Sequence, residues 1–155
     1  MEGIHFDVSA IGLRGLDRLL AQLPAKSERR IIRRVLRDSA KRIHGKLLQN
    51  VMGGIVGIRT GRFAMGIASH EVKGQFKRGR LEYGLMLPTR EQLGIPPEAK
   101  HYYPAVLEYG APHMSARAPM RRTVDDNAQA ELALIGQEIG RGVERTAKRL
   151  GMVIK

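Results

Sequence analysis

Two long stretches of the chain repeat apolar residues at the spacing of an α-helix. In the first, about residues 26 to 51, Ile32, Leu36 and Ile43 belong to a stripe with the i, i+4, i+7 rhythm of one helix face. The second stretch, about residues 123 to 150, has its stripe at Val124, Ala128, Leu132, Ile135, Ile139, Val143 and Leu150. Both stretches therefore predict long amphipathic helices.

The C-terminal helix carries signals of its own at its start and near its end. Thr123, followed by Asp125 and Asp126, is typical of a helix start, because a threonine side chain caps free N–H groups and carboxylates oppose the helix dipole. We expect Gly140 and Gly142 to weaken the last third of this helix, since glycine has a low helix propensity.

Between the two helices the pattern changes from helical to alternating. Residues 80 to 87 alternate apolar and polar side chains, which is typical of a strand, and residues 66 to 72 are a second candidate. Residues 101 to 110 are a third, although Pro104 restricts its start to a sheet edge or a bulge. The predicted order is helices, then strands over about residues 66 to 109, then a helix. This order predicts an α+β fold with two long helices packed on a small antiparallel sheet.

A chain of 155 residues is long enough to bury a hydrophobic core, so we predict a single domain over residues 1 to 155. Residues 13 to 23 have mostly helical apolar spacing, and Pro24 ends that short helix. Between the first long helix and the sheet, MGGIVGIRTG (residues 52 to 61) is rich in glycine and predicts a flexible loop or a turn region.

The chain is strongly basic, with a formal net charge of +12. This balance favours polyanionic neighbours such as nucleic acid or an acidic protein surface. The first long helix has a heavily basic polar face, whose polyanion-contact candidates are Arg30, Arg33, Arg34, Arg37 and Lys41. A plain solvated face is the alternative interpretation. Aromatic residues make up only 5% of the chain, so a base-stacking platform has few rings to use.

The sequence offers no enzyme signature. It contains no cysteine, and none of its five histidines pairs with another at a metal-ligand spacing such as H-x-x-x-H. It also lacks the glycine-rich phosphate loops of nucleotide-binding proteins. We therefore expect no catalytic residue, metal, cofactor or small-molecule substrate. No apolar stretch approaches the ~20 residues that span a membrane.

Residues 101 to 126, HYYPAVLEYGAPHMSARAPMRRTVDD, combine tyrosines, an apolar run and prolines. Glu108 lies inside the apolar run, so its carboxylate must either face solvent or meet a partner. The glycine and prolines that follow hold the chain extended, and the methionines add adaptable apolar contacts. Such a segment suits a protein–protein contact better than a catalytic loop, and its interface candidates are Tyr103, Glu108, Tyr109, Gly110, Pro119 and Met120.

Several motifs follow one another along the chain: GLRGLDRLLAQLP, the long basic helix, RTGRFAMGI, YYPAVLEYG and ARAPMRRTVDD. In this order and spacing they resemble the tail-completion, or neck, proteins of tailed bacteriophages. Members of that family usually show glutamate-aromatic-glycine and then a proline-containing stretch that leads into the last helix. This chain departs from them at Pro119-Met120-Arg121, where relatives often have proline-phenylalanine-leucine, and at Thr123-Val124, where proline-alanine is usual.

The resemblance covers nearly the whole chain and implies a structural, non-enzymatic protein of the virion. Such a protein acts in tail completion and head–tail joining at the neck, as a ring of several copies, commonly six, around the DNA channel. Its partners would be copies of itself and the head-connector, tail-terminator and tail-tube proteins, close to DNA in the channel. We expect it in the neck or tail of the virion, in the host cytoplasm during assembly, and on no membrane.

Two other functions remain open from the residues themselves. The alternative is a sequence-nonspecific nucleic-acid-binding module that uses the arginine-rich helix, since a basic stripe neutralises phosphates without reading bases. A small basic nuclease would need His101 and His113 as an acid–base pair together with a cationic stabiliser. The spacing of these histidines does not support that pairing.

Overall fold

The computed structural model describes residues 14–55, 61–71, 82–99 and 103–153. Two of its helices are long: α2 spans Ala25–Asn50 and α6 spans Pro119–Leu150. The shorter elements in chain order are α1 (Arg14–Ala21), α3 (Arg62–Gly66), β1 (Ala68–Glu71), β2 (Tyr83–Met86), α4 (Arg90–Leu93) and α5 (Tyr103–Tyr109). In the described part of the chain, β1 and β2 pair as a two-stranded antiparallel sheet.

The predicted fold class is confirmed, because α2 and α6 pack together and on this sheet. The first long helix was expected at about residues 26 to 51 and is found within one residue of those bounds. Its start is fixed by Pro24, whose carbonyl accepts hydrogen bonds from the N–H groups of Ser27 (2.7 Å) and Glu28 (3.1 Å). Both strands lie inside predicted strand segments.

The described residues form two compact units, and each of the two long helices contributes to both. One unit takes the described residues of 40–70 and 84–127. Its core consists of Ile43, Leu47, Val51, Phe63, Ala64, Ile67, Leu85 and Met120. Burying each large apolar side chain contributes roughly 1.5–3 kcal/mol, so this cluster is a major source of stability.

The other unit takes the described residues of 14–39, 71–83 and 128–153. Its core consists of Leu20, Leu23, Ile31, Val35, Ile135, Ile139 and Val143, so residues from α1, α2 and α6 meet there. The prediction of one domain over the whole chain stays a prediction.

The buried face of α2 runs in steps of four residues, at Ile31, Val35, Ser39, Ile43 and Leu47. The buried face of α6 does the same, at Glu131, Ile135, Ile139, Val143 and Ala147. The predicted stripe is correct at Ile43, which is buried, but in the first half of α2 the buried face is turned by about one residue, so Ile32 and Leu36 are only half-buried. The Ser39 hydroxyl donates to a Glu131 carboxylate oxygen at 3.0 Å, which satisfies two polar groups inside apolar faces.

The prediction of a third strand at residues 101 to 110 is wrong, because Tyr103–Tyr109 form helix α5. Pro104 lies in the first turn of this helix, where a missing N–H group removes no helical hydrogen bond. Pro104 and Glu108 are four residues apart, hence on one helix face, and both are fully buried. The sheet consequently has two strands in the described residues instead of three.

In the segment predicted to be a flexible loop or a turn region, the first residues continue the helix as a turn. Val51–Ile55 form a π-helical turn directly after α2. Val51 is fully buried four residues after Leu47, so a continued helix keeps this apolar side chain in the core. Residues 56 to 60 lie outside the described residues.

The C-terminal helix begins at Pro119, four residues before the predicted cap at Thr123. Proline is favoured in a first helical turn because its missing N–H group needs no partner there. The predicted cap is wrong: Thr123 is fully buried within the helix, and its hydroxyl donates to the Pro119 carbonyl at 2.7 Å. The Thr123 hydroxyl oxygen also accepts a hydrogen bond from the side-chain amide of Asn50 at 2.7 Å, which joins α2 to α6.

The two glycines predicted to weaken α6 have different surroundings. A Cβ atom at Gly142 would lie 2.8 Å from Cγ2 of Ile31, well inside contact distance, whereas a Cβ at Gly140 would meet nothing within 4 Å. Gly142 therefore allows α6 to approach α2 closely. Gly140 lowers helix stability but does not allow a closer approach of another helix.

We expect Gly142→Ala to lower the free energy of unfolding by about 1 kcal/mol, because the new methyl group overlaps a rigid β-branched side chain. Gly140→Ala is the matched control and should raise it by about 0.5–1 kcal/mol through helix propensity. Urea denaturation of both variants measures the two changes. In an Ile31→Ala background the penalty at position 142 should vanish. Equal stabilisation by both alanines in the wild-type background would contradict close packing.

Candidate functional site

The start of α6 is capped by a side chain from α5. The carboxylate of Glu108 accepts hydrogen bonds from the backbone N–H groups of Met120 (2.9 Å) and Arg121 (3.0 Å). The first N–H groups of a helix have no partner within it, and the helix dipole favours a negative charge there. The sequence predicted that Glu108 must either face solvent or meet a partner. Glu108 is only 1% exposed, and its partner is helix α6 of the same chain.

The side chain of Arg121 completes this contact. Its Nη2 donates to the backbone carbonyl of Glu108 at 3.1 Å, and its Nε lies 3.8 Å from the carboxylate. Its guanidinium carbon lies 5.7 Å from the centre of the Tyr109 ring, where the ring attracts a cation. We call Glu108, Tyr109, Gly110, Met120 and Arg121 the α6 clasp.

Gly110 turns the chain between α5 and α6. Its φ is +85°, in the left-handed region, and a Cβ atom there would lie 3.0 Å from the nitrogen of Ala116 and from the carbonyl oxygen of Met114. The Arg117 N–H donates to the Leu107 carbonyl at 2.9 Å, so the loop returns to α5. Both the φ value and the close backbone approach explain why glycine occupies this turn.

The six predicted interface residues fall into two groups. The side chains buried within the chain are Glu108, Pro119 and Met120. In this conformation they stabilise the start of α6 and do not present a surface to another protein. Tyr109 is 55% exposed, Tyr103 is 37% exposed, and Gly110 is half-buried at the turn. For these three a contact with another protein stays a prediction.

Tyr103 lies partly against the core of its unit. Its ring centre is 6.0 Å from that of Phe63, with the planes tilted by 49°. Burial raises the pKa of the Tyr103 phenol above its ordinary value of 10.0, while the charge of Arg62 opposes the shift. The hydroxyl is therefore protonated at neutral pH and is able to donate a hydrogen bond.

A groove of about 550 Å³ lies along the N-terminal half of α2. The described residues that line it are Lys26, Arg29, Arg30, Arg33, Arg34 and Arg37, and we call it the basic groove. Their spacing of three and four residues places all six on one face of the helix. The groove includes four of the five predicted polyanion contacts. Lys41, the fifth, is exposed farther along α2, outside the described lining.

Two carboxylates lie close to the arginines of the basic groove. Asp38 lies 3.8 and 3.6 Å from two of them. Glu71, at the end of β1, accepts a hydrogen bond from Nη2 of Arg33 at 3.3 Å and another from the Tyr83 hydroxyl at 3.1 Å. Exposed ion pairs stabilise a fold by little, so their main effect here is to lower the positive charge of the groove.

Tyr83 is bonded to Glu71 and feels the same charges. Burial raises the pKa of its phenol above the ordinary value of 10.0, and the hydrogen bond to Glu71 and that residue's negative charge raise it further. The charges of Arg37 and Arg33 oppose the shift. Sequence reasoning missed Glu71 and Tyr83. Glu71 is 38 residues from Arg33, and packing of the sheet on the long helices brings the two together, whereas the pairing of β1 with β2 brings Tyr83 to Glu71.

The histidines of the described residues lie on different elements: His44 on α2, His70 on β1 and His113 in the turn after α5. His44 is half-buried and its Nε2 lies 2.9 Å from the carbonyl oxygen of Ile67, a contact that joins α2 to the residue before β1. His113 is exposed in the turn after α5, and His101 lies outside the described residues. Within the described residues, no group of three or more histidines and acids is close enough to hold a metal ion.

In comparisons with protein families, curated proteins and solved structures, none matches this chain. Among the described helices, none is long and apolar enough to cross a membrane.

Proposed function

We propose that this chain is a structural protein of a tailed-bacteriophage neck, which assembles as a ring around the DNA channel in tail completion or head–tail joining. The observation that carries the proposal is the α6 clasp. Glu108, Tyr109 and Gly110 form one of the motifs behind the resemblance, and the proline-led start of the last helix is another. The two motifs are in direct contact, so they act together to orient the last helix.

The other motifs also support the proposal, because each has a definite place in the fold. Residues of the first motif form α1 and the turn that Pro24 ends, and the basic motif forms α2. In RTGRFAMGI, Gly61 has a φ of +68° immediately before α3, so the glycine of that motif makes a turn that other residues rarely adopt.

Exposed apolar side chains in one unit also favour a protein partner. Met65 is 79% exposed, Met52 is 68% exposed, and Tyr109 is 55% exposed. Methionine and tyrosine are enriched in protein interfaces, where flexible or flat side chains bury much apolar surface. Contacts between subunits of a ring would cover such residues.

Mass photometry of the purified protein tests this function, alone and with the head-connector and tail-tube proteins of the phage that encodes it. We expect a ring of several copies when a neck partner is added. Antibody labelling of purified virions should then place the chain at the head–tail junction. Virions that lack the chain, together with a protein that ignores both partners, would contradict the proposal.

A variant tests whether the exposed tyrosine contributes to the ring. We expect Tyr109→Ala to weaken ring formation by about tenfold or more, because tyrosine is enriched among the few interface residues that carry most of the binding energy. Leu134→Ala is the control, since Leu134 is a 37% exposed apolar residue on α6. Equal weakening by both variants would assign the effect to general loss of apolar surface.

A further inference from the structure

The basic groove concentrates positive charge beyond what its helix needs for stability. Helix α2 contains nine lysine and arginine residues against two acidic ones, a formal +7. Like charges at neighbouring positions of one helix face repel, which costs a few tenths of a kcal/mol per pair. Asp38 and Glu71 offset part of this repulsion at three of the six cations, and the face still keeps a positive excess that favours an anionic ligand.

The dimensions of the groove fit an extended anion. Its lining runs from Lys26 to Arg37, eleven residue steps, or roughly 16 Å along a helix at 1.5 Å per residue. Phosphates along one strand of duplex DNA advance about 3.4 Å each along the axis, so this length matches about five of them. A single phosphate group would occupy only a fraction of the groove.

The residue types favour a phosphate backbone over bases. Five of the six lining residues are arginines, whose planar guanidinium groups bind phosphate oxygens in pairs. None of the described lining residues is aromatic, whereas single-strand-binding grooves use aromatic rings on which bases stack. The groove therefore suits a duplex, in which the bases are already stacked with each other.

Glu71 gives the groove an internal competitor. Its carboxylate already accepts a hydrogen bond from Arg33, so a phosphate at that position must compete with a carboxylate for the same guanidinium group. The hydrogen bond from Tyr83 holds Glu71 in place from its other oxygen. The strength of binding then depends on an acid that lies on β1, outside the helix.

We propose that the basic groove binds the phosphate backbone of double-stranded nucleic acid without reading its sequence, and that Glu71 weakens this binding as a built-in counter-charge. The inference goes beyond a structural role in the neck and does not depend on it. A ring could form without DNA contact, and the groove could bind DNA in a protein of another function.

Fluorescence anisotropy with a labelled DNA duplex of about 20 base pairs, over salt concentrations from about 50 to 200 mM, tests the groove. The test variant carries Arg30→Ala, Arg34→Ala and Arg37→Ala, all exposed positions. We expect it to bind on the order of 10- to 100-fold more weakly than the wild type, with a salt slope smaller by about 2 to 3.

The matched control removes three other exposed cations, with Arg122→Ala, Lys148→Ala and Arg149→Ala. Both triple variants have the same formal charge, so a difference between them measures the groove itself. We expect the control to bind within about threefold of the wild type, since contacts outside the footprint add little at these salt concentrations. Equal weakening by both triples would overturn the groove as the site.

Glu71→Gln tests the counter-charge and keeps an oxygen that accepts from Tyr83. We expect duplex binding to strengthen about three- to tenfold and the salt slope to steepen by about 1, because a charged carboxylate no longer competes with phosphate for Arg33. Unchanged or weaker binding would overturn the role of Glu71. Two further outcomes would overturn duplex nucleic acid as the ligand. One is displacement of the duplex by poly-glutamate at equal charge concentration, and the other is tighter binding of a single strand of equal length.

Discussion

Replacing Glu108 by alanine is expected to lower the free energy of unfolding by about 3 kcal/mol, because the change leaves two helix-terminal N–H groups without an acceptor. Both groups, on Met120 and Arg121, bond to this one carboxylate at 2.9 and 3.0 Å. The lost cap adds to a cavity, since Glu108 is among the most deeply buried side chains of its unit. Urea denaturation followed by far-UV circular dichroism measures the change.

Two companion variants separate the cap from a general effect of losing an acid. Glu144→Ala removes an exposed glutamate from α6 and should change stability by less than about 0.5 kcal/mol. Glu108→Gln keeps one acceptor but turns an amide NH₂ group towards the helix N–H groups, so it should lose about half as much stability as alanine. A loss below about 1 kcal/mol for Glu108→Ala would contradict the clasp.

The clasp also changes what the motif at residues 108 to 110 means. A glutamate followed by an aromatic residue and a glycine invites an interpretation as a surface that grips a partner. In the structure the glutamate caps α6, Tyr109 lies against Arg121, and Gly110 makes the turn. The motif therefore shapes the loop and the last helix, and a partner contact stays a prediction only for the exposed ring of Tyr109 and for Gly110.

The long helices could be predicted because their signals are local. Twenty-six residues of α2 give several repeats of the apolar spacing, and Pro24 marks the start. The seven residues of α5 give fewer than two such repeats and include a proline, so the same tyrosine- and valine-containing segment suits a strand equally well. The contact of buried Glu108 with α6 favours the helix over the strand, and that contact cannot be read from the local sequence.

The candidate sites divide in the same way. The basic face of α2 was predictable, because its arginines are close together in sequence and share one helix face. Its counter-charge, Glu71, was not, since it lies on β1, 38 residues from Arg33, and only the packing of the sheet on the helices brings the two together. Likewise Ser39 and Glu131, 92 residues apart, form a buried hydrogen bond that an apolar pattern has no means to reveal.

Replacing Gly66 by alanine is expected to lower the free energy of unfolding by about 2 to 3 kcal/mol, because Pro88 leaves no room for a methyl group at this position. A Cβ atom at Gly66 would lie 2.3 Å from Cβ and 3.0 Å from Cγ of Pro88, a fully buried and rigid residue. Relief requires a shift of backbone, either in α3 or after β2. Such a shift would also disturb Phe63 and Leu85, which share one core.

Gly45→Ala is the matched control, since a Cβ atom at Gly45 would meet nothing within 4 Å in the same unit. We expect it to raise stability by about 0.5–1 kcal/mol, as alanine favours a helix interior over glycine. Chemical denaturation of both variants should therefore give changes of opposite sign. If Gly66→Ala stabilises the protein as Gly45→Ala does, α3 does not pack on Pro88, and the placement of RTGRFAMGI that supports the neck proposal loses its physical basis.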